Sequence, residues 1–408
     1  MSCITKKLLA TQTQSLTKRW GYYKARSGLE KIDLTDPTSI PSAGSAGGGI
    51  GAYRGHFVVA WGLNILISQS SAEIIKLYVI DEVNGSLTLK TELDIRTVTG
   101  ESSTTNIEQI HYAYPNTYVT VITDNDSIIT YDISSEGFNL LDRYALGGGQ
   151  SWSNDALVIR KVIDPYKLSQ SLYDEVYNPD YIFIITDNSD DVVWWFNLAN
   201  PSSITLVEYA DVDTSGVGTI GNLAPDDGLA YYNSNTDSGK LILFSNNDDP
   251  DFNSFNFSAS SGSLSADTGS TTTTGIIGDN EGNFISSNST ALYGTTIISL
   301  HENDDVTKGS TATFAQTAVT DHVNETENAG SEGFGTVWAV NIVHRQGYLY
   351  ALVRDDGVLA DEQTRIIVYN IGGSATTAPV LIDDRNLGIY EVASNTLIEV
   401  DPRQIYTS

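Results

Sequence analysis

Short runs of β-branched and aromatic residues, separated by clusters of Asn, Asp, Gly, Pro and Ser, recur along almost the whole chain. Residues 181–210 show the pattern most clearly, because three apolar runs at 181–186, 192–198 and 204–210 are separated by the polar gaps DNSDD and NPSS. Runs of this composition predict β-strands, and the gaps predict turns. Almost everywhere, apolar residues either alternate with polar ones or follow one another in a short unbroken run. The pattern therefore predicts an all-β protein.

The strand-like runs come in groups of four, and each group is about 40–50 residues long. Six such units lie at about residues 51–95, 107–146, 156–210, 218–259, 283–319 and 336–384. A repeated four-strand unit is typical of a β-propeller, in which four-stranded blades surround a channel. A large β-sandwich or two tandem β-domains are the alternatives, but neither explains the repeat. Residues 41–50, 260–282 and 320–335 are predicted to be connectors.

Strand-like runs are left over at both ends of the chain, at 20–24 and 29–34 and at 387–392 and 396–400. A blade that takes strands from both termini leaves no exposed sheet edge at the joint. The sequence therefore predicts a β-propeller of seven blades, each of four antiparallel strands, closed by strands from both termini. Six blades is the alternative, if the unit at 283–319 is not a full blade. Residues 1–18 are predicted to be an N-terminal arm, and residues 19–408 a single propeller domain.

A shorter repeat lies inside the longer one. The segments LTDPTSI at 34–40 and LANPSSI at 198–204 both follow a predicted strand, place Pro in a turn and end in Ile. This echo is a second sign of internal repetition.

The chain is strongly acidic, since its 408 residues include 51 Asp and Glu but 22 Lys and Arg, for a net charge of −29. Such a surface repels phosphate backbones, so nucleic acid is not an expected partner. Basic residues cluster near the N-terminus, at Lys6, Lys7, Lys18, Arg19, Lys24, Arg26 and Lys31. We expect this cationic segment to lie on its own acidic body or on an acidic neighbour. Protein partners or self-assembly are therefore the expected interactions.

Targeting signals are not evident in the sequence. The single cysteine, Cys3, excludes an internal disulfide. The apolar run at residues 8–10 is shorter than the roughly 7–15 residues of a secretory signal. No stretch approaches the roughly 18 apolar residues of a membrane span. We therefore expect no signal peptide, no membrane span and a virion or cytoplasmic location.

Two resemblances follow from these repeats. The unit length and the phrase KLYVIDEVNGSLTL at 76–89 resemble the seven-bladed propeller group that includes WD40 and lactonase-like proteins. The Trp-Asp dipeptide of WD40 repeats is absent, and Gly-His occurs once, at Gly55-His56. The segment DPDFNSF at 249–255 resembles an Asp-Pro turn of phage tail propeller proteins. The first resemblance implies the fold, and the second implies a virion setting.

Catalytic motifs are missing from the sequence. The five histidines, His56, His111, His301, His322 and His344, form no HExxH or His-x-His motif, and no GxSxG occurs. His111 and His344 lie in the first strand of a unit, which would line the channel. Either residue could be catalytic or bind a metal, and the plainer interpretation is a polar residue in a wet channel.

Acidic turns are the other candidate for metal binding. Residues 211–216 (DVDTSG) open like a calcium loop, but the twelfth position is Asn222 instead of a bidentate Glu. Asp and Asn are also the usual residues of tight turns. We therefore expect no cofactor, with incidental calcium as the alternative. The weak candidates for that metal are Asp211, Asp213, Asp187 and Asp190.

Partner binding is predicted on the face of the ring that carries the long connectors. In a four-stranded meander, the turn between the second and third strands shares one end of the blade with the link to the next blade. The long connectors and several acidic turns therefore fall together, and loops are where scaffolds usually place recognition. The candidates on this face are Asp187, Asp190, Asp191, Asp355 and Asp356.

A second candidate interrupts the opposite face, which otherwise has tight turns. Within residues 165–179, bounded by prolines, Leu168, Leu172 and Val176 recur every four residues. This spacing predicts one short amphipathic helix. A partner would contact it through Tyr166, Leu168, Leu172 and Tyr173. The plainer interpretation is that the helix is a lid packed on its own blade.

The leading hypothesis is a non-enzymatic structural or interaction propeller. Its expected setting is a virion, as a phage tail or capsid accessory protein that mediates protein–protein contacts. A lactonase-like, metal-dependent hydrolase is one alternative. A carbohydrate-binding lectin is the other, although Trp194 and Trp195 lie in a run that is apolar on both faces and are predicted to pack between blades.

Overall fold

The computed structural model describes residues 18–25, 28–42, 44–47, 56–61, 63–69, 73–112, 118–133, 137–147, 152, 157–159, 162–163, 177–178, 181–186, 192–211, 225–233, 235–245, 252–270, 290–293, 296–300, 305–310, 316–321, 337–345, 347–355, 363–372, 374, 376–389 and 398–400. Within these ranges the backbone forms thirty β-strands and one 3₁₀ turn, Ile95–Thr97. No helix in the described residues is long and apolar enough to cross a membrane.

The strands form seven sheets, which we number in chain order. Sheet 1 contains β1 (Trp20–Ala25), β2 (Gly28–Asp33), β3 (Gly44–Ser45) and β30 (Ile398–Val400). Sheet 2 contains β4 (His56–Trp61), β5 (Asn64–Gln69), β6 (Ile74–Ile80) and β7 (Leu87–Asp94). Sheet 3 contains β8 (Ile107–Tyr112), β9 (Tyr118–Thr123), β10 (Ser127–Asp132) and β11 (Asn139–Ala145). Sheet 4 contains β12 (Leu157–Ile159), β15 (Tyr181–Thr186), β16 (Val192–Asn197) and β17 (Thr205–Asp211).

The remaining sheets follow the same plan, and one of them is larger. Sheet 5 contains β13 (Val162–Ile163), β14 (Tyr177–Asn178), β18 (Pro225–Asn233), β19 (Ser238–Ser245), β20 (Phe252–Ser258) and β21 (Ser263–Ser270). Sheet 6 contains β22 (Thr290–Tyr293), β23 (Thr296–Leu300), β24 (Asp305–Ser310) and β25 (Gln316–Asp321). Sheet 7 contains β26 (Val337–Arg345), β27 (Tyr348–Asp355), β28 (Gln363–Asn370) and β29 (Val380–Ile389). Except for β13, which pairs parallel with β18, all strand pairs are antiparallel.

Sheet 1 takes strands from both ends of the chain. Its order is β3-β2-β1-β30, and β1 pairs with β30 through Trp20↔Val400, Gly21↔Glu399 and Tyr22↔Ile398. Three of its strands come from the N-terminal region and a single strand comes from the C-terminal region, whereas the sequence predicts two from each end. The difference arises because Leu387 continues β29 instead of starting a new strand, and because the two-residue β3 is too short to show a pattern.

A β-bulge recurs at the same place in six sheets. In sheets 2 to 7 the register between the third and fourth strands slips by one residue. The slips lie at Leu77/Tyr78, Thr130/Tyr131, Trp195/Phe196, Ser254/Phe255, Lys308/Gly309 and Val368/Tyr369. Such a bulge bends the outer strand and increases its twist. Its repetition identifies the six sheets as copies of one structural unit.

The hydrophobic core lies between neighbouring sheets. Clusters of buried side chains join sheets 7 and 1, 1 and 2, 2 and 3, 3 and 4, and 4 and 5. Between sheets 4 and 5, Trp195 stacks on Phe183 with 5.8 Å between ring centroids and meets Phe257 edge-on at 5.2 Å. Trp194 and Trp195 are 2% and 0% exposed, so their predicted place in the core is confirmed.

The strand predictions are wrong for some of the residues in the region 260–319. Residues 260–282 are predicted to be a connector, but β21 (Ser263–Ser270) is the fourth strand of sheet 5. The predicted single run at 291–302 contains β22 and β23, and β24 (Asp305–Ser310) has no counterpart among the predicted strands. β21 and β24 are rich in Ser, Thr, Asp and Gly, so they lack the apolar pattern from which strands are recognised.

Candidate interaction surface

The antiparallel meander determines which turns share an end of the sheets. Turns between the first and second strands and between the third and fourth strands lie at one end, which we call the turn face. Turns between the second and third strands, and the links from one sheet to the next, lie at the other end, which we call the connector face. Successive antiparallel pairing within the sheets produces this division, as the sequence predicts.

Most of the predicted site residues lie outside the described residues: Asp187, Asp190, Asp191, Asp213, Asp356, Tyr166, Leu168, Leu172 and Tyr173. The backbone of the other two is described. Asp211 ends β17, where it pairs with Val192, and Asp355 ends β27, where it pairs with Val337. Both strand ends point to the connector face. Their role in partner binding, or that of Asp211 in metal binding, stays a prediction.

The insertion in sheet 4 connects two sheets. The predicted helix at 165–179 lies outside the described residues except for Tyr177–Asn178, which form the strand β14 and are not helical. β13 and β14 pair with each other, and β13 also pairs with β18 through Val162↔Ala230 and Ile163↔Tyr231. The chain therefore leaves sheet 4 after β12 and hydrogen-bonds to the first strand of sheet 5. This crossing ties sheets 4 and 5 together.

On the connector face, an acidic turn of sheet 3 binds the links on both sides of the sheet. Asp124 accepts hydrogen bonds from the backbone N–H of Asn106 at 2.7 Å and from its side-chain amide at 2.8 Å. Asp126 accepts one from the backbone N–H of Trp152 at 2.9 Å. Asn106 precedes β8, and Trp152 follows β11. The two carboxylates therefore fix the incoming and outgoing links with bonds to protein donors.

A buried ion pair holds the incoming link at a second point. The side chain of Glu101 has no exposed surface, and Arg143 Nε donates to Glu101 Oε1 at 2.5 Å. Arg143 Nη2 also donates to the carbonyl oxygen of Gly100 at 2.9 Å, and Asn125 Nδ2 donates to Glu101 Oε2 at 3.2 Å. The pKa of Tyr131 is raised, chiefly by burial and secondly by the negative charge of Glu101. Removing either partner of the pair would leave a charge without compensation.

On the turn face, the echoed segments form two matching turns, residues 33–40 and 197–204, which we call the docking turns. In each turn an Asp or Asn side chain twice accepts a hydrogen bond from the backbone N–H two residues later. The donors and acceptors are Thr35 to Asp33, Thr38 to Asp36, Ala199 to Asn197 and Ser202 to Asn200. These local bonds favour the turn over a continuing strand.

Each docking turn ends on a carboxylate of the neighbouring sheet. The N–H of Ile40 donates to Asp383 Oδ2 at 3.0 Å, and the N–H of Ile204 donates to Asp142 Oδ2 at 2.7 Å. Asp383 and Asp142 occupy the same position, directly after the bulge in the fourth strands of sheets 7 and 3. Because both isoleucines are buried, these bonds dock sheet 1 onto sheet 7 and sheet 4 onto sheet 3.

A further carboxylate joins the two turns of sheet 5 on this face. Asp237 lies between β18 and β19 with a φ of 50°. Its carboxylate accepts hydrogen bonds from the hydroxyls of Tyr232 at 2.7 Å, Ser258 at 2.8 Å and Ser260, and from the backbone N–H of Ala259 at 3.0 Å. The Ser260, Tyr232 and Ser258 hydroxyls hold the pKa of Asp237 well below its usual range.

The two predicted channel histidines lie in first strands. Nε2 of His111 in β8 is 2.9 Å from Oε1 of Gln109 on the same strand. His344 lies in β26, where its backbone pairs with Leu349. Among the residues that the structure describes, no group of three His, Cys, Asp or Glu side chains could hold a metal ion. The carboxylates of Asp124, Asp126 and Asp237 are engaged in holding turns and links.

Sequence reasoning did not identify Asp142 and Asp383 as the acceptors of the docking turns. The signal is present, because both follow a pair of apolar residues, in LLD at 140–142 and LID at 381–383. This second echo matches the echo of the docking turns. Considered together, the two repeated segments indicate that each docking turn meets an equivalent Asp on the neighbouring sheet.

Comparison with known proteins identifies the fold. No family model matches the chain, and no curated protein sequence matches it. A protein of known structure from Lactobacillus plantarum has a TM-score of 0.59 at 10% sequence identity, over 94% of this chain and 99% of that one. A putative 6-phosphogluconolactonase from Bacteroides fragilis has a TM-score of 0.57 at 13% identity, over 95% and 99% of the two chains. The periplasmic gluconolactonase PpgL from Pseudomonas aeruginosa has a TM-score of 0.57 at 10% identity, over 94% and 99%.

These likenesses bear on the predicted fold. At identities this low, similarity to a solved structure is evidence of the fold alone. The all-β and β-propeller predictions are confirmed, and the chain shares its architecture with lactonase-like propellers. The resemblance to phage tail propellers stays a prediction.

Proposed function

We propose that the protein is a non-enzymatic interaction propeller whose seven sheets are seven blades, closed into a ring by β1 and β30. Contacts between first strands support the ring, since β30 meets β4, β4 meets β8, β12 meets β18, β18 meets β22 and β22 meets β26. The apolar cluster between sheets 7 and 1 supports its closure. Sheet 6 has four strands, which argues against the six-blade alternative. Residues 19–408 are then one domain, and residues 1–18 an arm.

The observation that carries the interaction role is the use of carboxylates to fix the links and turns. Asp124 and Asp126 bond to the links on both sides of sheet 3 at the connector face, and Glu101 pairs with Arg143 beside the incoming link. Loops that are already ordered lose less conformational entropy when they bind a partner. A fixed, acidic connector face therefore fits a protein partner with a basic surface. The cationic N-terminal arm of a second copy has that charge, and a virion protein would place many copies side by side.

Sedimentation velocity of the full-length protein at low and high salt tests this role. We expect association at low salt that weakens at high salt, because exposed charges are screened. Reversing two charges in the segment between β15 and β16, with Asp190→Lys and Asp191→Lys, should weaken association, as should removal of residues 1–17. Glu92→Lys, on the exposed outer strand β7, is the matched control and should leave association unchanged. A protein that stays monomeric under all conditions would contradict self-assembly.

The virion setting has its own test. A lysate of cells that make the protein is separated on a density gradient, and the chain is followed by immunoblot. We expect it to sediment with a particle far larger than one 44.2 kDa chain. If the chain is found only at the position of the free protein, the virion setting is wrong, and the fold assignment is not affected.

The lactonase-like hydrolase is the second candidate, favoured by the structural likeness to two proteins described as lactonases. Glucono-δ-lactone hydrolysis, measured with and without a chelator, separates the two candidates. The interaction role predicts no acceleration over buffer. Metal-dependent hydrolysis would favour the hydrolase. Asp211 and Asp213 would then be the first residues to test as metal ligands. A lectin gains no support from Trp194 and Trp195, because both side chains are buried.

A further inference from the structure

The turn between β6 and β7 packs on sheet 1 and contains an Asn-Gly dipeptide. This turn comprises residues 81–86, and the dipeptide is Asn84-Gly85. The indole ring of Trp20 covers Gly85, so that a Cβ at position 85 would lie 2.5 Å from a ring carbon. Gly85 also has a φ of 69°, in the left-handed region. The contact between sheets 1 and 2, which we call the 1–2 joint, therefore requires glycine at this position.

Two residues of β1 hydrogen-bond to the same turn. Trp20 Nε1 donates to the carbonyl oxygen of Glu82 at 3.1 Å, and the Tyr22 hydroxyl donates to the carbonyl oxygen of Gly85 at 2.8 Å. Both side chains belong to the apolar cluster between the two sheets. Because β1 also pairs with β30, the turn supports the strand that joins the two ends of the chain.

Hydrogen bonds fix Asn84 at three of its atoms. Its backbone N–H donates to Asp81 Oδ1 at 3.1 Å, its carbonyl oxygen accepts from Lys31 Nζ at 2.6 Å, and its Oδ1 accepts the N–H of Ser86 at 2.8 Å. The next backbone N–H, that of Gly85, donates to the carbonyl oxygen of Asp81 at 2.7 Å. In this arrangement neither the side chain of Asn84 nor the nitrogen of Gly85 is free to move toward the other.

Asn-Gly is a chemically labile dipeptide, since Asn is thermolabile and glycine has no side chain to hinder attack by its own nitrogen. In deamidation, the Gly85 nitrogen loses its proton to hydroxide and forms a bond to Cγ of Asn84. The Cγ–Nδ2 bond breaks, and Nδ2 takes up a proton from water and leaves as ammonia, which gives a cyclic imide. Water then opens the imide to aspartate or isoaspartate. The reaction consumes one water, releases one ammonia and involves no oxidant.

We propose that Asn84 is a deamidation site that is protected while the 1–2 joint is closed and reacts when the joint opens. The attack needs a Gly85 nitrogen that is released from its hydrogen bond and an Asn84 side chain that turns away from Ser86, and the closed joint prevents both. Local opening releases such segments without global unfolding. Asn84 is exposed to water, so opening of the joint, and not access of water, limits the rate.

The product of the reaction keeps the joint open. Isoaspartate adds one methylene group to the backbone, which displaces Gly85 from beneath Trp20 and from the Tyr22 hydroxyl. Either product also places a carboxylate beside Asp81, whose Oδ1 accepts the N–H of residue 84, and like charges at such short range repel each other. Deamidation is therefore a one-way change that loosens β1 and, through β1, the pairing with β30.

The rate of deamidation tests this site. Samples are kept at mildly alkaline pH, with and without urea, and the peptide that contains Asn84 is followed by mass spectrometry. We expect the folded protein to react at least about tenfold more slowly than the unfolded chain. Tyr22→Phe removes the hydroxyl bond to Gly85, so it should raise the folded rate about two- to tenfold and leave the unfolded rate unchanged.

Tyr118→Phe is the matched control, because it removes the same kind of bond at the contact between sheets 3 and 4. The buried Tyr118 hydroxyl donates to the carbonyl oxygen of Leu198 at 3.2 Å. This variant should react at the wild-type rate. Equal acceleration by both variants would mean that Asn84 reacts after global unfolding, and equal rates in the folded and unfolded wild type would mean that the joint gives no protection. Either result would overturn the proposal.

A second measurement tests the effect of the product on the joint. The Tm of the wild type is recorded as deamidation proceeds, and we expect a fraction with a lower Tm that grows with the modified fraction. Asn84→Ala lacks the reactive amide, so its Tm should stay constant over the same period. A modified wild type that melts at the Tm of fresh protein would overturn the claim that the product keeps the joint open.

Discussion

Replacing Asp142 by Ala removes the acceptor that docks sheet 4 onto sheet 3. The N–H of Ile204, which now donates to Asp142 Oδ2 at 2.7 Å, would be left without a partner beside a side chain that is 6% exposed. Hydrogen bonds to charged groups contribute about 1.5–3 kcal/mol. We therefore expect Asp142→Ala to lower the free energy of unfolding by about 2 kcal/mol. Asp142→Asn keeps an acceptor oxygen and should lose about half as much.

Urea unfolding followed by tryptophan fluorescence measures the effect, because Trp152 and Trp194 lie in the cluster between sheets 3 and 4. Asp383→Ala is the matched control, since it removes the same bond to Ile40 at the contact between sheets 7 and 1. The two losses should be similar, and they should add in the double variant if the two contacts are independent. A midpoint for Asp142→Ala equal to that of the wild type would refute the docking role.

Three further predictions concern the core and the turn face. Trp195→Ala should lower the free energy of unfolding by about 3–5 kcal/mol, because Trp195 is fully buried against Phe183 and Phe257. A loss below about 1 kcal/mol would contradict its place in the core. Gly239→Ala should lower Tm, because a Cβ there would overlap the Phe257 ring, whereas Gly44→Ala, which has open space, should leave Tm unchanged. The pKa of Asp237 is lowered in the folded protein. The Asp237 carboxylate therefore stabilises the fold above a pH of about 3.9, the pKa of an unfolded Asp, and this stabilisation is lost as the pH falls toward the folded pKa. Asp237→Asn should flatten the acid side of a plot of Tm against pH, and an unchanged slope would contradict this.

The strands of sheets 2, 3 and 4 could be predicted because runs with at least one apolar face dominate them, and these faces pack on neighbouring sheets. Strands β21 and β24 escaped prediction, since their polar residues form backbone hydrogen bonds without an apolar face. Backbone pairing leaves no mark on the side-chain pattern from which strands are predicted. The repeat that forms the docking turns is visible in the sequence. The hydrogen bond from Ile204 to Asp142 is not, because it depends on how two sheets meet.

Acidic turns show a second limit of prediction from sequence. Asp124 and Asp126 resemble ligands for a cation or a partner, yet in the structure they accept backbone N–H groups of the links around sheet 3. Asp favours turns for the same reason that it suits hard cations, because its short side chain presents oxygen acceptors close to the backbone. Composition therefore does not separate a structural acidic turn from a binding one, and contacts are needed.

The central claim is that strands from both ends of the chain close the ring, and removal of residues 398–408 tests it most directly. This change deletes β30 and exposes the edge of β1, which now pairs with it through Trp20, Gly21 and Tyr22. We expect a lower Tm and association through the open edge, measured by light scattering after size exclusion, while removal of residues 1–17 leaves Tm unchanged. A truncated protein that is monomeric and as heat-stable as the full chain would contradict closure by β1 and β30.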